Sequence, residues 1–288
     1  MWTDTTRAYH ASAGLALPSD LTDGEWAVLE PFLPLPSFVG RPRKWPLRRI
    51  VEAMLYLLRG GLPWRMLPPG FPPPTTVQRW FYAWRDDGTW QKINHYLIQD
   101  ARVAQGNEGS PSAGVIDSQS VKTMESGGLR GYDAGKKVKG RKRHIITDTN
   151  GFLVHAVVHS ADIQDRDGAP MVLEDIRYNY PWLRHVFADG GYAGDKLKTA
   201  LTKIGDWTIE IINRSDRVKG FIVLPRRWVV ERTFAWLNRN RRLAKDFENS
   251  IASATAWIFM VSNFLLDGSQ GYDIKANNYE SDSYAQFL

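Results

Sequence analysis

The stretch RHIITDTNGFLVHAVVH, residues 143–159, contains two short runs rich in Val, Ile and Thr that are separated by Asn150-Gly151. An Asn-Gly pair between two such runs predicts a β-hairpin, because both residues tolerate the positive φ angles of the tightest hairpin turns. A third run of this kind lies upstream, at 113–121. The sequence therefore predicts three strands in succession.

Helical and strand patterns alternate after the hairpin. Helical patterns cover 168–178 and begin again at Ala193 and near Pro225, whereas apolar runs at 184–188 and 207–212 predict strands. The resulting order, β-β-β-α-β-α-β-α, predicts an α/β fold in which helices flank a mixed sheet. It is the element order of a ribonuclease H-like domain.

Four shorter helical patterns precede the strands. They begin near Thr22, Pro46, Thr75 and Trp90. The third pattern leaves Arg79 and other polar residues on one face. Short helices joined by tight turns are compatible with a helix-turn-helix DNA reader, and a plain helical bundle fits the same pattern equally well.

A linker pattern separates the two parts of the chain. The segment QGNEGSPSA, residues 105–113, is rich in Gly, Ser and Pro. We therefore expect a small all-α, helix-turn-helix-like DNA-binding domain at 1–104, a linker at 105–112, a ribonuclease H-like catalytic domain at 113–266 and a tail at 267–288. The acidic tail is expected either to be disordered or to derive from read-through into neighbouring sequence.

The composition favours an anionic partner and a cytoplasmic, nucleoid-associated location. The net charge of the 288 residues is +6, and because the tail contributes four acids and one lysine, the rest carries about +9. Cysteine is absent, which excludes disulfides, thiolate metal sites and thiol nucleophiles. The first residues lack the apolar core of a signal peptide, and Ser, Thr and Asn interrupt the apolar stretch 251–266. We expect this stretch to be a buried helix and not a membrane span.

Two aspartates follow apolar strand patterns. Asp117 lies in GVIDSQS, and Asp189 lies in HVFADGGYAG, directly before Gly190-Gly191. Side chains at the ends of adjacent strands can converge, and glycines let the backbone turn sharply away from that point. A pair of acids is a weak signal in a chain with 31 acidic residues, so a further acid has to support it.

Glu231 provides that support. It lies in PRRWVVERTFAWLNRNRRLAK, residues 225–245, next to an apolar helical stripe and among seven basic residues between 226 and 245. An acid at such a position is unusual if its only role is solvation. An intrahelical pair with Arg227, four residues earlier, is the alternative interpretation, and both can hold.

Three carboxylates without His or Cys form a hard oxygen site. Asp117, Asp189 and Glu231 therefore suit Mg²⁺ or Mn²⁺ better than Zn²⁺. Two such ions, roughly 4 Å apart, can activate an attacking oxygen and stabilise a leaving one during phosphoryl transfer. We expect the three acids to be both catalytic and metal-binding, with two ions as cofactors.

A dense basic run precedes the hairpin. KKVKGRKR, residues 136–143, holds six basic residues in eight, and such a run repels itself unless it meets an anion. A phosphate backbone lying across the hairpin is one interpretation, and a solvated loop is the other. The predicted DNA-binding residues are Arg79, Lys136, Lys137, Lys139, Arg141, Lys142, Arg143, Arg227, Arg239 and Arg242.

The other polar clusters predict structure rather than chemistry. The histidines between 144 and 185 lack metal-ligand spacing and are expected to pack or to form hydrogen bonds. Asp162, Asp165 and Asp167 are expected to form a turn and cap a helix rather than to build a second metal site.

Several long strings resemble one family in order. They are GVIDSQSVKT (114–123), GRKRHIITDT (140–149), HVFADGGYAGDKL (185–197) and RRWVVERTFAWLNRNRRLAKDFE (226–248). They resemble the bacterial insertion-sequence transposases of the DDE type, specifically the insertion-sequence five family. The strings LTDGEWAVLEPFLP and RRIVEAMLYLLRGGLPWRMLP resemble the helical leader of the same enzymes, so that the resemblance covers roughly residues 15–262.

The resemblance implies both a fold and an activity. It implies a ribonuclease H-like domain with Asp117, Asp189 and Glu231 as the catalytic acids. It also implies strand cleavage at the inverted-repeat ends of an element, followed by attack of the freed 3′-hydroxyl on target DNA.

Two departures concern the last helix and the end of the chain. Relatives often carry Tyr, Arg, Glu and Lys at Y-x2-R-x3-E-x6-K spacing, and here Leu224 and Asn238 replace the Tyr and the Lys. Arg239, one residue further, is expected to serve the phosphate role. From about Asn263 the sequence no longer resembles the family. Only 41 residues separate the second and third acids, which leaves no room for a large insertion domain.

The implied partner is double-stranded DNA, as inverted repeats and as target. Pairing of two ends implies a homodimer or a larger DNA-bound assembly. Two alternatives remain open: a two-metal nuclease that hydrolyses without joining, and a degenerate regulator that binds DNA without cutting it. The three intact acids argue against the regulator, and only the reaction products distinguish the nuclease.

Overall fold

The computed structural model describes residues 17–35, 42–124, 128–212 and 225–266. The predicted tail and Leu224 lie outside the described residues. Within them, the chain forms one mixed sheet with helices packed on both of its faces. The α/β class predicted from the sequence is thereby confirmed.

Helices occupy the part of the chain before the sheet. They are α1 (Asp23–Leu29), α2 (Leu47–Gly60), α3 (Pro74–Asp86) and α4 (Thr89–Ala104), with 3-10 turns at Glu30–Phe32 and Trp64–Met66. Thr22 caps α1 because its hydroxyl accepts from the backbone N–H of Glu25, whose carboxylate accepts from the backbone N–H of Thr22. Gly61 ends α2 in the left-handed region, with a φ of 67°. The four predicted helices are present.

Six strands form the sheet within the described residues. They are β1 (Ala113–Lys122), β2 (Gly131–Asp133), β3 (Val138–Asp148), β4 (Leu153–Ser160), β5 (His185–Ala188) and β6 (Thr208–Ile211). The order is β4-β3-β1-β5-β6, and β2 pairs with the start of β3. β3 is antiparallel to β1 and β4, whereas β5 is parallel to β1 and β6. The predicted hairpin joins β3 to β4, and Gly151 has the expected positive φ of 96°. The short strand β2 was not predicted.

Helices alternate with the later strands in the predicted order. They are α5 (Asp165–Ile176), α6 (Asp195–Leu201), α7 (Pro225–Asn238) and α8 (Ile251–Leu266), with 3-10 turns at Gly190–Tyr192 and Arg241–Leu243. Most side chains of α8 are buried, which confirms that this apolar stretch is an interior helix. In the described part of the chain, no helix is long and apolar enough to cross a membrane.

Side chains of the central strands alternate between two apolar cores. Val115 and Ile145 lie in the first core, and the neighbouring Ile116 and Ile146 lie in the second. Helices α5 and α6 cover the second core. The first core joins α1–α4 with α7, α8 and one face of the sheet. The helices before the sheet thus share a continuous core with it, and the domain boundary at 105–112 stays a prediction.

Two arginines of the predicted DNA-binding set lie in the interior of this fold. Arg141 and Arg143 are 0% and 2% exposed on β3. Arg141 pairs with the buried Asp246 at 3.1 Å and donates to three backbone carbonyl oxygens. Arg143 donates to two backbone carbonyl oxygens of the segment 243–249. The prediction that they contact DNA is wrong, because their guanidinium groups already bond to the protein and a phosphate cannot reach them.

Arg242 is also an interior residue. It pairs with Glu248 at 2.7 Å and donates to the backbone oxygen of Leu62 at 2.6 Å. Its guanidinium lies over the rings of Trp64 and Trp257. The predicted DNA contact of Arg242 is therefore wrong as well, because the side chain joins the end of α2 to the segment before α8.

Candidate active site

Asp117 and Asp189 lie on neighbouring parallel strands. The register of β1 and β5 places Val115 opposite Phe187, and each aspartate comes two residues later in its own chain segment. Asp189 directly follows β5 and is the N-cap of the 3-10 turn Gly190–Tyr192. The register therefore brings the two carboxylates to the same level at the carboxyl end of β5.

Burial and like charge both act on Asp117. Its pKa is raised to about 6, chiefly by burial. The backbone N–H of Ser118, which donates to Asp117 Oδ1 at 2.7 Å, opposes this rise, and the negative charge of Asp189 adds to it. The positive charges of Lys136 and Arg227 lower the same pKa. With a pKa of about 6, Asp117 is mostly ionised at neutral pH.

Arg227 lies between the second and third acids. Its Nη2 is 3.6 Å from Asp189 Oδ2 and 3.5 Å from Glu231 Oε1. Arg227 and Glu231 are one turn apart on α7, which packs against β1. The side chains of Asp189 and Glu231 are 30% and 48% exposed, so the cluster is open to solvent. The structure therefore places Asp189 and Glu231 on one guanidinium, whose charge also acts on Asp117, and the predicted intrahelical pair is present as well.

The three acids form an all-oxygen donor set. Carboxylates without imidazole or thiolate ligands suit Mg²⁺ or Mn²⁺. Among the described side chains, no three of His, Cys, Asp or Glu lie in an arrangement that could hold a metal ion. The donor set fits a divalent cation in its chemistry, whereas the present spacing around Arg227 is that of an ion-pair cluster.

Comparison with known families assigns this domain. A family model described as "Transposase DDE domain" matches residues 108–265, more than half of the chain. The chain belongs to the DDE transposase family. A second model, described as "Putative transposase of IS4/5 family", matches residues 21–94. The resemblance to bacterial insertion-sequence transposases is confirmed, and DDE domains conventionally use divalent metal ions.

Two curated relatives come from Burkholderia cepacia. The "Putative transposase for insertion sequence element IS402" is 34% identical over 116 residues, which are 38% of this chain and 54% of that protein. The "Insertion element IS402 uncharacterized 16.2 kDa protein" is 29% identical over 113 residues, which are 37% of this chain and 76% of that protein. The match thus spans about half the length of the first relative. No solved structure matches the chain.

Asp165 is a further acid of the DDE domain, and its position differs from the helix-capping role expected for it. Gln164 is the N-cap of α5, and Asp165 is the first residue of the helix. Its Oδ1 accepts hydrogen bonds from Ser118 Oγ and Lys142 Nζ, both at 2.7 Å. Because Ser118 follows Asp117, Asp165 lies beside the candidate catalytic acids. The sequence offered one signal for this contact: side chains alternate along a strand, so Lys142 lies on the opposite face of β3 from Arg141 and Arg143.

Lys142 is the fourth predicted DNA contact that lies in the interior. It is 5% exposed, and its Nζ donates to the backbone oxygen of Ile163 at 2.8 Å and to Asp165. The same ammonium lies 3.6 Å from Asp133 Oδ2. The predicted DNA contact is wrong, because an ammonium enclosed by these oxygens cannot reach a phosphate. Lys142 is instead the charge partner of two aspartates.

The other basic residues of the predicted set are accessible. The exposed residues are Lys136 and Lys137 between β2 and β3, Lys139 at the start of β3, Arg79 on α3 and Arg239 beyond α7. Lys137 adopts a left-handed φ of 55° in the turn. Lys136 Nζ donates to the backbone oxygen of Ser118 at 3.0 Å, which places this turn beside Asp117. The role of these residues in DNA binding stays a prediction.

A buried chain of hydrogen bonds lies behind the aspartates of the DDE domain. His159 Nδ1 lies 2.9 Å from the backbone oxygen of Ser160 and must donate to it, because a carbonyl only accepts. Burial lowers the pKa of His159, and that of His144 to about 3, so both rings are neutral at pH 7. His144 Nδ1 then donates to His159 Nε2 at 3.3 Å, and the Tyr192 hydroxyl donates to His144 Nε2 at 2.8 Å. The expectation that these histidines form hydrogen bonds is confirmed.

Proposed function

We propose that the chain is an insertion-sequence transposase that cleaves DNA at terminal inverted repeats and transfers the 3′-hydroxyl ends to target DNA. Asp117, Asp189 and Glu231 are its catalytic, metal-binding acids in this proposal. The supporting observation is that Arg227 pairs with Asp189 and Glu231 and acts by its charge on Asp117, inside a domain of the DDE family.

The strand order supports a ribonuclease H-like fold for the catalytic domain. Three antiparallel strands, β4-β3-β1, are followed by the parallel strands β5 and β6, with helices on both faces. For the part before the sheet, we propose that α2–α4 form a helix-turn-helix-like unit. Arg79 is exposed on α3 and would contact the DNA backbone there.

The proposed chemistry is phosphoryl transfer. In cleavage, a water oxygen attacks phosphorus and the bond from phosphorus to the 3′-oxygen breaks, which frees a 3′-hydroxyl. In transfer, the oxygen of that hydroxyl attacks the phosphorus of a target phosphodiester, and the bond from this phosphorus to the target's 3′-oxygen breaks. The attacking hydroxyl's proton is released, while the departing 3′-oxygen is protonated to a new 3′-hydroxyl. Two bound divalent ions would supply activation of the attacking oxygen and stabilisation of the leaving one. The chain contributes Asp117 from a buried strand, Asp189 from a strand end and Glu231 from a helix that packs against β1.

Arg227 has a second role in this proposal. Its guanidinium offsets the charge of two carboxylates in the described state, and its side chain is 31% exposed. Guanidinium groups bind carboxylate and phosphate oxygens through the same N–H groups. We therefore expect Arg227 to exchange carboxylate partners for a phosphate of bound DNA.

A basic turn provides an approach to the acids. Lys136 and Lys137 are exposed there, Lys139 is exposed at the adjoining start of β3, and Lys136 reaches the backbone beside Asp117. Phosphate contacts of this kind fix DNA in position and make binding dependent on salt. The proposed partner is double-stranded DNA, and a homodimer or larger assembly would hold the two ends together.

The proposal is tested with a labelled inverted-repeat duplex, target DNA and Mg²⁺. Asp189→Asn removes one carboxylate charge from the site. Asp195→Asn makes the same change six residues later at a side chain that is 97% exposed, and it serves as the matched control. We expect nicked and joined products from the wild type and the control, and none from Asp189→Asn.

The other outcomes identify the alternatives. Nicking without joining in the wild type would indicate a nuclease. Tight binding without cutting in all three proteins would indicate a DNA-binding regulator and would contradict the proposal.

A further inference from the structure

The segments that carry Asp117 and Asp189 are tied together behind their carboxylates. Ser118 follows the first aspartate, and Tyr192 ends the 3-10 turn that follows the second. The Tyr192 hydroxyl donates to His144 on β3, the strand that pairs with β1. Tyr192 is buried, so this contact is shielded from water. A buried hydrogen bond therefore ties the turn after Asp189 to β3, which pairs with the strand of Asp117.

Asp165 links the two aspartate segments from a third element, the start of α5. Its Oδ1 holds Ser118 Oγ at 2.7 Å, on the β1 side. Its Oδ2 lies on the β5 side: a Cβ placed on Gly191 would be 3.6 Å from Asp165 Oδ2 and 3.0 Å from Asp189 Oδ1. One carboxylate at the start of α5 thus touches the strand of Asp117 and lies beside the turn of Asp189.

Lys142 makes this arrangement electrostatically possible. Its buried ammonium donates to the same Asp165 Oδ1 at 2.7 Å and lies 3.6 Å from Asp133 Oδ2. An ion in the interior is tolerated only when partners surround it, and removing one partner is costly. Asp133 is itself fixed to β1, because the Ser120 hydroxyl donates to it at 2.5 Å.

Helix capping does not account for these contacts. A capping carboxylate accepts from backbone N–H groups of its own first turn, and an exposed side chain is sufficient for that. Asp165 instead accepts from Ser118 and Lys142, which are distant in sequence and lie on two different strands. Its neighbour Asp167 is a surface residue, paired with Lys196 at 2.7 Å.

We infer that Asp165, together with the hydroxyl of Tyr192, is a positioning residue that fixes the spacing of Asp117 and Asp189 for binding of a divalent cation. The inference rests on the proposed function. Residues that orient metal ligands without touching the ion typically change metal affinity or activity about 10-fold to 100-fold when they are removed. The same range is expected for Asp165.

The test measures cation binding apart from catalysis. Mn²⁺ is titrated into the full chain and followed by electron paramagnetic resonance, for wild type, Asp165→Asn and the control Asp167→Asn, which makes the same change in charge. We expect Asp165→Asn to bind Mn²⁺ about 10-fold to 100-fold more weakly, with Asp167→Asn within about 2-fold of wild type. Cleavage by Asp165→Asn should then recover as Mn²⁺ is raised, which a general loss of folding would not produce.

A second variant and a reference variant keep the outcomes distinct. Tyr192→Phe removes one hydroxyl and no charge, so it tests the tie between the Asp189 turn and β3 if Asp165→Asn does not fold. The inference is overturned if the folded variants bind Mn²⁺ like wild type while Asp189→Asn loses both Mn²⁺ binding and cleavage. If Asp189→Asn keeps both properties, the proposed function fails and the inference fails with it.

Discussion

Replacement of Arg141 by methionine tests whether the basic run at 136–143 is a DNA surface or is divided between surface and core. Arg141 is 0% exposed, and its guanidinium bonds to the Asp246 carboxylate and to three backbone oxygens at 2.7–2.9 Å. Methionine retains much of the side-chain volume and removes every one of these bonds. The variant leaves Asp246, itself 2% exposed, without its direct ion-pair partner, so that only the more distant charge of Arg143 still acts on it.

The expected cost follows from this burial. Removing one partner of a buried ion pair typically costs about 3–5 kcal/mol, because the remaining charge stays in the interior without compensation. For a domain of this size, such a decrease in stability lowers the melting temperature by roughly 10 °C. The matched variant Lys139→Met lies two residues earlier on the exposed part of the run, and we expect no measurable change in its stability.

DNA binding should show the reverse pattern: Lys139→Met should change it, whereas Arg141→Met should not. Removing one cation that neutralises a DNA phosphate lowers the salt dependence of binding by about 0.9 in the logarithmic slope. We expect this decrease for Lys139→Met and the wild-type slope for the folded fraction of Arg141→Met. Thermal unfolding and fluorescence anisotropy with duplex DNA at several salt concentrations measure both properties. An Arg141→Met protein that is as stable as wild type and has a reduced salt slope would refute the assignment of Arg141 to the core.

Two further predictions concern the histidines behind the acids. Burial lowers the pKa of His144 to about 3 in the folded protein, whereas in the unfolded chain the same ring has its ordinary pKa of about 6.5. The contribution of the neutral ring to stability is therefore complete above pH 6.5 and is lost as the pH falls below it. Between pH 7.5 and 5.5 this residue alone should reduce the free energy of unfolding by about 1.4 kcal/mol, and urea unfolding of His144→Gln should show a correspondingly shallower pH dependence. Gly168→Ala should cost about 1–3 kcal/mol, because the added methyl would lie 2.5 Å from His144 Nδ1 and 2.7 Å from His159 Nε2. Urea unfolding of Gly168→Ala checks this at pH 7.5, and wild-type stability would show that α5 can move away.

The order of the sheet elements could be predicted from the sequence, because local patterns determine it. The Asn150-Gly151 turn identifies the hairpin, and alternation of apolar residues marks the strands on either side. Asp117 and Asp189 could be paired for the same reason, since each follows an apolar run whose strand is buried. That the two carboxylates lie at the same height in the sheet depends on the register of β1 and β5, which local patterns do not specify.

The contacts in the interior were harder to predict from the sequence, because they depend on which segments lie against each other. A run such as KKVKGRKR predicts a solvated surface when it is taken alone. Arg141 and Arg143 are buried because the segment 243–249 crosses their side of β3 and supplies backbone oxygens. Lys142 is buried because Asp133 and Asp165 meet on the other side of the strand. No spacing within 136–143 indicates either neighbour.

Distance and exposure now distinguish the arginines that the sequence analysis grouped together. Arg141 and Arg242 are nearly inaccessible, and each bonds to oxygens at 2.6–3.1 Å, which is the range of strong hydrogen bonds. Arg227 differs in both respects, because its side chain is 31% exposed and its carboxylate partners lie at 3.5 and 3.6 Å. Ion pairs of this length and exposure contribute little to stability. A guanidinium held so loosely between two acids can change partners at small cost, which a residue that meets phosphate and acids in turn must be able to do.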